Sequence, residues 1–293
     1  PVLFGVSVLV FLMIHLIPGD PAVLIAGFDA READIIRIRE ALGLDQPLPL
    51  QYVQFIGRAL IGDFGESFRT GRAVIDEIGF RYWNTLFLGL SAVTFGTLLG
   101  VLTGIVTAVY RNGWFDSTVL ATSLLGISMP PFFLGILLML FFSVYLGWLP
   151  LTGMGSWQHF ILPTLTLGIP NAAIISRITR SSLVEVLNQD YVRTARAKGM
   201  TERVVVNVHV LRNSLIPVVT VIALGIPTIF TGAIITETIF RVNGLGQLLI
   251  TAIYASDIPM VLTLSVVFAI LIVLFNLIAD LLYAILDPRI RYD

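Results

Sequence analysis

The chain has 293 residues, of which 56% are hydrophobic and only 13% are charged. Soluble domains carry about 25% charged residues, so this composition excludes an ordinary soluble domain and predicts a membrane protein. The absence of Cys excludes disulfides and thiol chemistry, and the formal net charge of −1 favours no class of partner.

The first predicted transmembrane helix covers residues 1–17, an apolar run that two prolines and a glycine at positions 18–21 end. A bilayer core about 30 Å thick needs about 20 helical residues. Because the run opens at Pro1, we expect this span to be truncated at its N-terminus. It ends in "IPGDP" rather than in a small-residue cleavage site, which favours a span over a signal peptide.

Residues 18–82 predict a solvated insertion, because they hold seven basic and ten acidic residues. Its first half has the pattern of a capped helix with an apolar stripe. The cap, first-turn acid, stripe and stop are Asp29, Glu32, Ile35, Ile38, Leu42 and Gly43. A second, weaker helix carries Tyr52, Val53, Ile56 and Leu60. We expect a small subdomain outside the membrane, without a catalytic constellation.

Residues 83–293 predict a five-helix transmembrane domain, since they contain five further apolar runs. The runs are 84–109, 117–144, 161–176, 214–236 and 260–286. The second is one long span that "SMPPF" (Ser128–Phe132) kinks, because Pro removes a backbone hydrogen bond. The sequence therefore predicts an all-α membrane protein with six transmembrane helices.

The basic residues divide unevenly between the two sides that these helices define. Ten of the 18 Lys and Arg lie on one side, in residues 110–116, 177–213 and 287–293. The short loops opposite, 145–160 and 237–259, hold only Arg241. By the positive-inside rule the basic side is cytoplasmic, which places the insertion outside and the loop 177–213 in the cytoplasm.

Two features of the spans have alternative interpretations. Gly96, Gly100 and Gly104 recur every four residues, which predicts close helix packing, either within the chain or against a partner subunit. The kink either has a purely structural role or lines a translocation pathway, because irregular backbone in a membrane is tolerated where it faces a cavity. Its pathway candidates are Ser128, Met129 and Pro130.

The loop before the last helix predicts an outer turn at Asn243–Gln247. We interpret it either as a plain turn or as an outer gate or receptor contact. The residues of that second interpretation are Asn243, Gly244, Leu245 and Gly246.

The cytoplasmic loop contains a short basic helix. The run Asp190–Lys198 is rich in small and basic residues, with Asp190 as the predicted N-cap and Gly199 as a left-handed stop. Thr201 is a second predicted N-cap. A second amphipathic helix follows, with Val204, Val208 and Leu211 at i, i+4 and i+7. Such a segment either anchors to lipid headgroups or docks a partner protein.

The segment "YVRTARAKGM" followed by "HVLRNSLIPV" resembles the cytoplasmic EAA-type loop of permease subunits in dipeptide, oligopeptide and nickel ABC importers. The resemblance covers nearly the whole chain, and "SWQHFILPTLTLG" is nearest to the glutathione and dipeptide branch. The other matching stretches are "VLVFLMIHLIPGDPA", "LGLDQPL", "GDFGES", "LGWLP", "NGLGQLL" and "DPRIRY". The chain departs from the general EAA pattern at Arg193 and Arg212, where that pattern has a glutamate and a proline.

The resemblance implies a multi-pass subunit of a bacterial or archaeal inner membrane. Such a permease pairs with a second, similar permease, with two ATP-binding cassette subunits and with an extracytoplasmic solute-binding protein. ATP and Mg²⁺ belong to the ATPase subunits. The implied ATPase-coupling residues are Tyr191, Arg193, Thr194, Ala195, Arg196, Ala197, Lys198, Gly199 and Met200. The implied cargo is a dipeptide, an oligopeptide or glutathione, with nickel or another small solute as the alternative.

The sequence itself supports no catalytic role. The only lysine, Lys198, lies outside any P-loop pattern, and three scattered histidines predict neither a metal cage nor a nucleophile. We expect lipid contacts and no nucleic-acid partner. The rivals of another class are a membrane scaffold and a stand-alone secondary transporter. The latter needs buried coupling charges, which the second, third and fifth predicted spans lack.

Overall fold

The computed structural model describes residues 2–16, 22–23, 31–33, 35–36, 39, 43 and 45–286. These residues are helical apart from turns and one isolated antiparallel bridge between Glu66 and Ala73, which confirms the all-α class. The chain divides into two compact units. The first has Pro1–Trp83 and Gly244–Val273, and the second has Asn84–Asn243 and Leu274–Asp293.

The described helices follow the order predicted from the sequence. They are α1 (Val2–Leu16), α2 (Leu48–Leu60), α3 (Val74–Val109), α4 (Trp114–Ser128), α5 (Pro131–Leu138), α6 (Ile161–Leu187), α7 (Asp190–Ala197), α8 (Leu211–Phe240), α9 (Leu245–Tyr254) and α10 (Ile258–Leu286). A π-helical turn, Met139–Tyr145, continues α5, and a 3₁₀ turn, Trp157–Phe160, precedes α6.

Four described helical segments are long and apolar enough to cross a membrane. They are Val74–Val109, Trp157–Leu187, Glu202–Phe240 and Ile258–Leu281, and a bent pair of helices raises the number to five. Helix α1 has 15 residues and is therefore about 22 Å long, shorter than a bilayer core. The first of the six predicted spans thus stays a prediction.

The third predicted span is two helices rather than one kinked helix. Helix α4 ends at Ser128, and the segment Pro131–Tyr145 departs from it with a bend of 110°. Met129 and Pro130 are extended, with ψ of 129° and 135°. A proline disfavours the helical conformation of the residue before it, so Pro130 ends α4. Pro131 then opens α5 at the first helical position, which suits proline.

In the first unit, the predicted second helix of the insertion is confirmed as α2. Its Tyr52 ring packs edge-on against Phe11 of α1, with ring centroids 5.4 Å apart. The Tyr52 hydroxyl also shares a 2.8 Å hydrogen bond with Ser7. The predicted cap at Asp29, the stripe residues Ile38 and Leu42, the stop at 18–21 and the tail 287–292 lie outside the described residues.

A buried carboxylate also ties the first unit together. Asp257 precedes α10 and accepts a hydrogen bond from Met260 N–H at 3.4 Å, so it caps that helix. The same carboxylate accepts the Ser67 hydroxyl and, at 3.2 Å, Phe68 N–H. The turn after α2 is therefore fixed to the beginning of α10.

In the second unit, the glycine stripe packs against α6 of the same chain, which is the internal packing that the sequence allowed. A Cβ on Gly100 would lie 2.7 Å from the Ala172 carbonyl oxygen, and one on Gly104 would lie 2.5 Å from the Thr179 Cβ. Only glycine permits this approach of two helices. The stripe is thus occupied within the chain.

Candidate functional site

The basic segment of the loop 177–213 forms α7, as the sequence predicts. The helix begins with Asp190, while Gln189 has the N-cap position and no side-chain cap bond. Asp190 therefore lies in the first turn rather than at the cap, where its negative charge still suits the positive end of the helix dipole. The predicted start is wrong by one residue.

One face of α7 is buried in the second unit. Val192 is fully buried and Ala195 is 5% exposed. Both belong to a core cluster that also contains Leu183 of α6 and the buried residues Val205 and Val210. The predicted coupling segment, Tyr191–Met200, therefore packs against the end of α6.

The opposite face of α7 is open. Arg193 has a 71% exposed side chain and only a loose ion pair, 3.6 Å, with Asp190. The other coupling candidates with exposed positions are Tyr191, Thr194, Arg196, Ala197, Lys198, Gly199 and Met200. Ala195 is the one predicted coupling residue that faces the core.

Arg196 differs from Arg193 because it is held inside the loop. Its Nε and Nη2 donate to the two carboxylate oxygens of Glu202, at 3.1 and 2.6 Å. This hydrogen bonding raises the pKa of the Arg196 guanidinium above its ordinary value. The fork-to-fork geometry closes the turn that contains Gly199.

The turn after α7 has the predicted chemistry. Gly199 has φ of +77°, the left-handed conformation that stops a helix at little cost for glycine. Thr201 has the N-cap position of the helical turn Glu202–Val204, although its side chain makes no cap bond. Glu202 lies in the first turn, as expected.

The apolar stripe predicted for the second helix is wrong. Val204 and Val208 are 43% and 50% exposed, whereas Val205 and Val210 are fully buried. The cause is a π-helical turn, Val205–Val210, whose hydrogen bonds span five residues instead of four. The buried face therefore repeats at i and i+5, which the α-helical period does not anticipate.

The pathway candidates lie at the break between α4 and α5. Ser128 and Pro130 are exposed, and Met129 is half-buried. The extended backbone at Met129 and Pro130 makes this the irregular point of an otherwise helical pair.

The outer-turn candidates lie where α8 gives way to α9. Asn84 Nδ2 donates to the Asn243 carbonyl at 2.8 Å, which fixes the Asn243 backbone to α3. Gly244, Leu245 and Gly246 are buried, and Leu245 has no exposed surface. Contact of the Leu245 side chain with a receptor therefore requires a conformation other than this one.

An ion pair between Asp116 of α4 and Arg180 of α6 was not predicted from the sequence. Arg180 Nε and Nη2 donate to the two oxygens of Asp116, each at 2.6 Å. Asp116 is 2% exposed, and it also accepts Asn112 N–H at 2.9 Å. Each residue of the pair lies at the edge of a predicted apolar run, which was the available sequence signal. The two residues are 64 positions apart, so the sequence did not indicate that they pair.

A buried carboxylate just beyond the fifth predicted span was also not predicted. The predicted span, 214–236, has no ionisable side chain, but α8 continues to Phe240 and includes Glu237. Glu237 is fully buried, and Thr85 donates to it at 2.6 Å. The end of the helix therefore carries a carboxylate that the predicted span did not include. Among the described residues no group of three acidic or histidine side chains has the arrangement of a metal site.

About seven-tenths of the chain has the fold of ABC transporter membrane subunits. The chain is similar to one in the structure of the inward-facing MetNI methionine ABC transporter, with a TM-score of 0.59, 22% identity and coverage of 72% of this chain and 96% of that chain. A second similar structure is an amino acid ABC transporter with histidines, with a TM-score of 0.57, 14% identity and coverage of 71% and 94%.

Residues 100–292 match the family model described as binding-protein-dependent transport system inner membrane component. Residues 2–89 match the N-terminal model of the same membrane components. The chain therefore belongs to the family of binding-protein-dependent transport system inner-membrane components.

Two relatives are glutathione transport system permease proteins GsiC, from Escherichia coli strain K12 and Salmonella choleraesuis strain SC-B67. Each is 48% identical over 292 residues, which covers 100% of this chain and 95% of the relative. These matches confirm the resemblance to the peptide-class permeases, and the chain is a permease component of an ABC importer.

Proposed function

We propose that this chain is the subunit through which glutathione or a short peptide crosses the inner membrane. The observation that carries the proposal is the 48% identity to glutathione permeases along the full chain. The match covers the whole chain, so it includes α4, α5 and α8 as well as the predicted coupling loop. A nickel or other small-solute cargo is the alternative that the test below separates.

The proposed assembly contains a second permease, two ATP-binding cassette subunits and an extracytoplasmic solute-binding protein. ATP and Mg²⁺ bind to the ATPase subunits. The chain crosses the membrane six times, with residues 18–82 outside and residues 177–213 in the cytoplasm. The basic residues of the inner side support this orientation, since cytoplasmic loops carry the excess of Lys and Arg.

The proposed contact with one ATPase is Tyr191–Met200, through the open face of α7. Arg193 and Lys198 supply the positive charge for that contact, because Arg196 is already paired with Glu202. An acidic or polar surface on the ATPase is the matching partner. The buried face, with Val192 and Ala195, passes the motion of α7 to α6.

The pathway is proposed to pass the break at Ser128, Met129 and Pro130. Pro130 and Pro131 have no N–H to donate to the last turn of α4, and irregular backbone of this kind is tolerated in a membrane where it is buried or faces a cavity. The buried turn Asn243–Gly246 is proposed to be part of an outer gate, which a conformational change exposes.

Reconstitution in proteoliposomes tests the function directly. The chain alone is expected to hydrolyse no ATP and to move no cargo, and the complete complex is expected to take up labelled glutathione or dipeptide when ATP is present. Uptake of nickel without peptide uptake would replace the proposed cargo. Uptake by the chain alone would favour a secondary transporter, and a complete complex without uptake of any solute would favour a scaffold.

A further inference from the structure

The ion pair of Asp116 and Arg180 joins two helices across 64 residues of sequence, and its side chains are 3% and 23% exposed. Arg180 Nε donates to Asp116 Oδ1 and Nη2 donates to Oδ2, each at 2.6 Å. Arg–carboxylate pairs of this two-point kind fix orientation as well as distance. Asn112, with φ of +62°, brings its N–H to the same carboxylate at 2.9 Å, so the turn before α4 is part of the junction.

The same helices also lie close together farther along α4. A Cβ added to Gly126 would lie 3.6 Å from the Ala173 Cβ, so little space separates the two helices at that end. Ala173 and Arg180 are seven residues apart on α6, so they lie on one face of that helix. Helix α4 is therefore attached to a single face of α6 at both of its ends.

The coupling segment is attached to the same α6. Leu183 lies three residues after Arg180 and belongs to the cluster that buries Val192 and Ala195 of α7. Helix α6 ends at Leu187, and α7 begins at Asp190. The ion pair thus lies within one helical turn of the contacts that hold the coupling helix.

We propose that Asp116 and Arg180 are positioning residues that make α4 move with α6 when the coupling segment moves. Along α4, Asp116 and Ser128 lie 12 residues apart, which is about 18 Å from the ion pair to the break. A displacement of Tyr191–Met200 then reaches the pathway candidates through α6, the ion pair and α4. This inference rests on the proposed function.

The chemistry of the pair favours positioning over net stability. A buried ion pair is often no more stabilising than apolar residues of the same volume, whereas removal of one partner leaves an uncompensated buried charge. If α4 separated from α6, each charge would lose its ionic partner. The pair therefore opposes sliding of one helix along the other.

The first experiment measures the amount of assembled complex and, separately, the cargo moved per ATP hydrolysed. In the reconstituted complex, the single variant Arg180→Met leaves Asp116 without its positively charged partner and is expected to lower the amount of assembled complex. The double variant Asp116→Asn with Arg180→Met removes both charges and keeps an oxygen for Asn112 N–H. It is expected to restore assembly, while cargo moved per ATP stays about threefold or more below the original. Arg177→Met, at an exposed site of the same helix, is the control and is expected to leave both quantities unchanged.

The second experiment measures the junction itself. Because the chain has no Cys, spin labels at Thr122→Cys of α4 and Gln189→Cys before α7 report one distance in a complex whose other subunits are cysteine-free. Both sites are exposed. Pulsed electron resonance is expected to give the same distance with and without a non-hydrolysable ATP analogue. In the double variant the distance is expected to shift or broaden when the analogue binds.

Two results overturn the inference while the proposed function stands. One is a complex that transports normally but whose label distance changes with nucleotide, since α4 then moves independently of α6. The other is a double variant that transports as much cargo per ATP as the original, since the pair then has only a structural role. Failure of the original complex to transport any solute instead contradicts the proposed function.

Discussion

Gly199 combines a left-handed backbone with empty surroundings. Its φ is +77°, and an added Cβ would meet no heavy atom within 4 Å. Backbone conformation, rather than space, therefore restricts this position. We expect Gly199→Val to cost about 1–2 kcal/mol in the local turn, to shift the end of α7 and to lower the amount of ATPase that co-purifies with the permease.

The matched control at this position is Gly199→Asn. Asn adopts the left-handed conformation far more readily than a β-branched residue, and the open space accepts its side chain. We expect it to retain ATPase association close to that of the original. Equal loss of association in both variants would show that bulk, not conformation, is the restriction.

Gly104 presents the opposite case, in which space is the restriction. A Cβ there would lie 2.5 Å from the Thr179 Cβ and 2.7 Å from the Ser176 carbonyl oxygen. Gly104→Ala forces α3 and α6 apart, and overpacking of this kind costs about 1–3 kcal/mol. We expect a lower apparent melting temperature of the purified complex in detergent. Gly79→Ala, on the same helix with nothing within 4 Å of its Cβ, is the control and is expected to change the melting temperature little.

At the scale of the element, α7 holds two arginines with different roles. Arg196 is paired with Glu202 inside the loop, and Arg193 is exposed. We expect Arg196→Glu to weaken ATPase association, because like charges then face each other across the turn, and the double variant with Glu202→Arg to restore it. Arg193→Glu is expected to weaken association without rescue by any change in this loop. Co-purification of the ATPase measures all three, and rescue failure for Arg196 would remove the internal role of that residue.

The outline of this element was predictable, while its inner face was not. Small residues, charge and Gly199 define the short helix and its stop from local chemistry. The buried face after it depends on the π-helical turn Val205–Val210. Its extra residue is set by packing against α6 and α7 and leaves no local signal in a run of valines. Stripes at the α-helical period therefore selected Val204 and Val208, which are exposed.

At the scale of the whole molecule, apolar length predicted most of the helices, because a bilayer demands long uncharged runs. The ends of the helices were less predictable, since α6 continues eleven residues beyond the predicted end at residue 176. The two prolines at 130 and 131 predicted a kink, but they did not predict that the bend would be as large as 110°. The pairs of Asp116 with Arg180 and of Thr85 with Glu237 join distant residues, and a single sequence carries no signal of such contacts.

The orientation of the molecule in the membrane is the prediction on which the coupling role depends. Because the chain has no Cys, single cysteines report the side of each segment without background from this subunit. Thr70→Cys lies in the insertion and Gln189→Cys lies beside α7, and both sites are exposed.

We expect a membrane-impermeant maleimide to label Thr70→Cys in cells whose inner membrane is intact. Gln189→Cys is expected to react only after that membrane is permeabilised. Its side carries ten basic residues, and the positive-inside rule predicts that this side is cytoplasmic. Reaction of both sites in denatured protein is the control for thiol reactivity. Labelling of Gln189→Cys from outside would place α7 where no cytoplasmic ATPase reaches it. The open face of Arg193 would then need a different partner. The same basic segment carries the charge that is predicted to orient the loop and the charge that is proposed to contact the ATPase, so one result tests both.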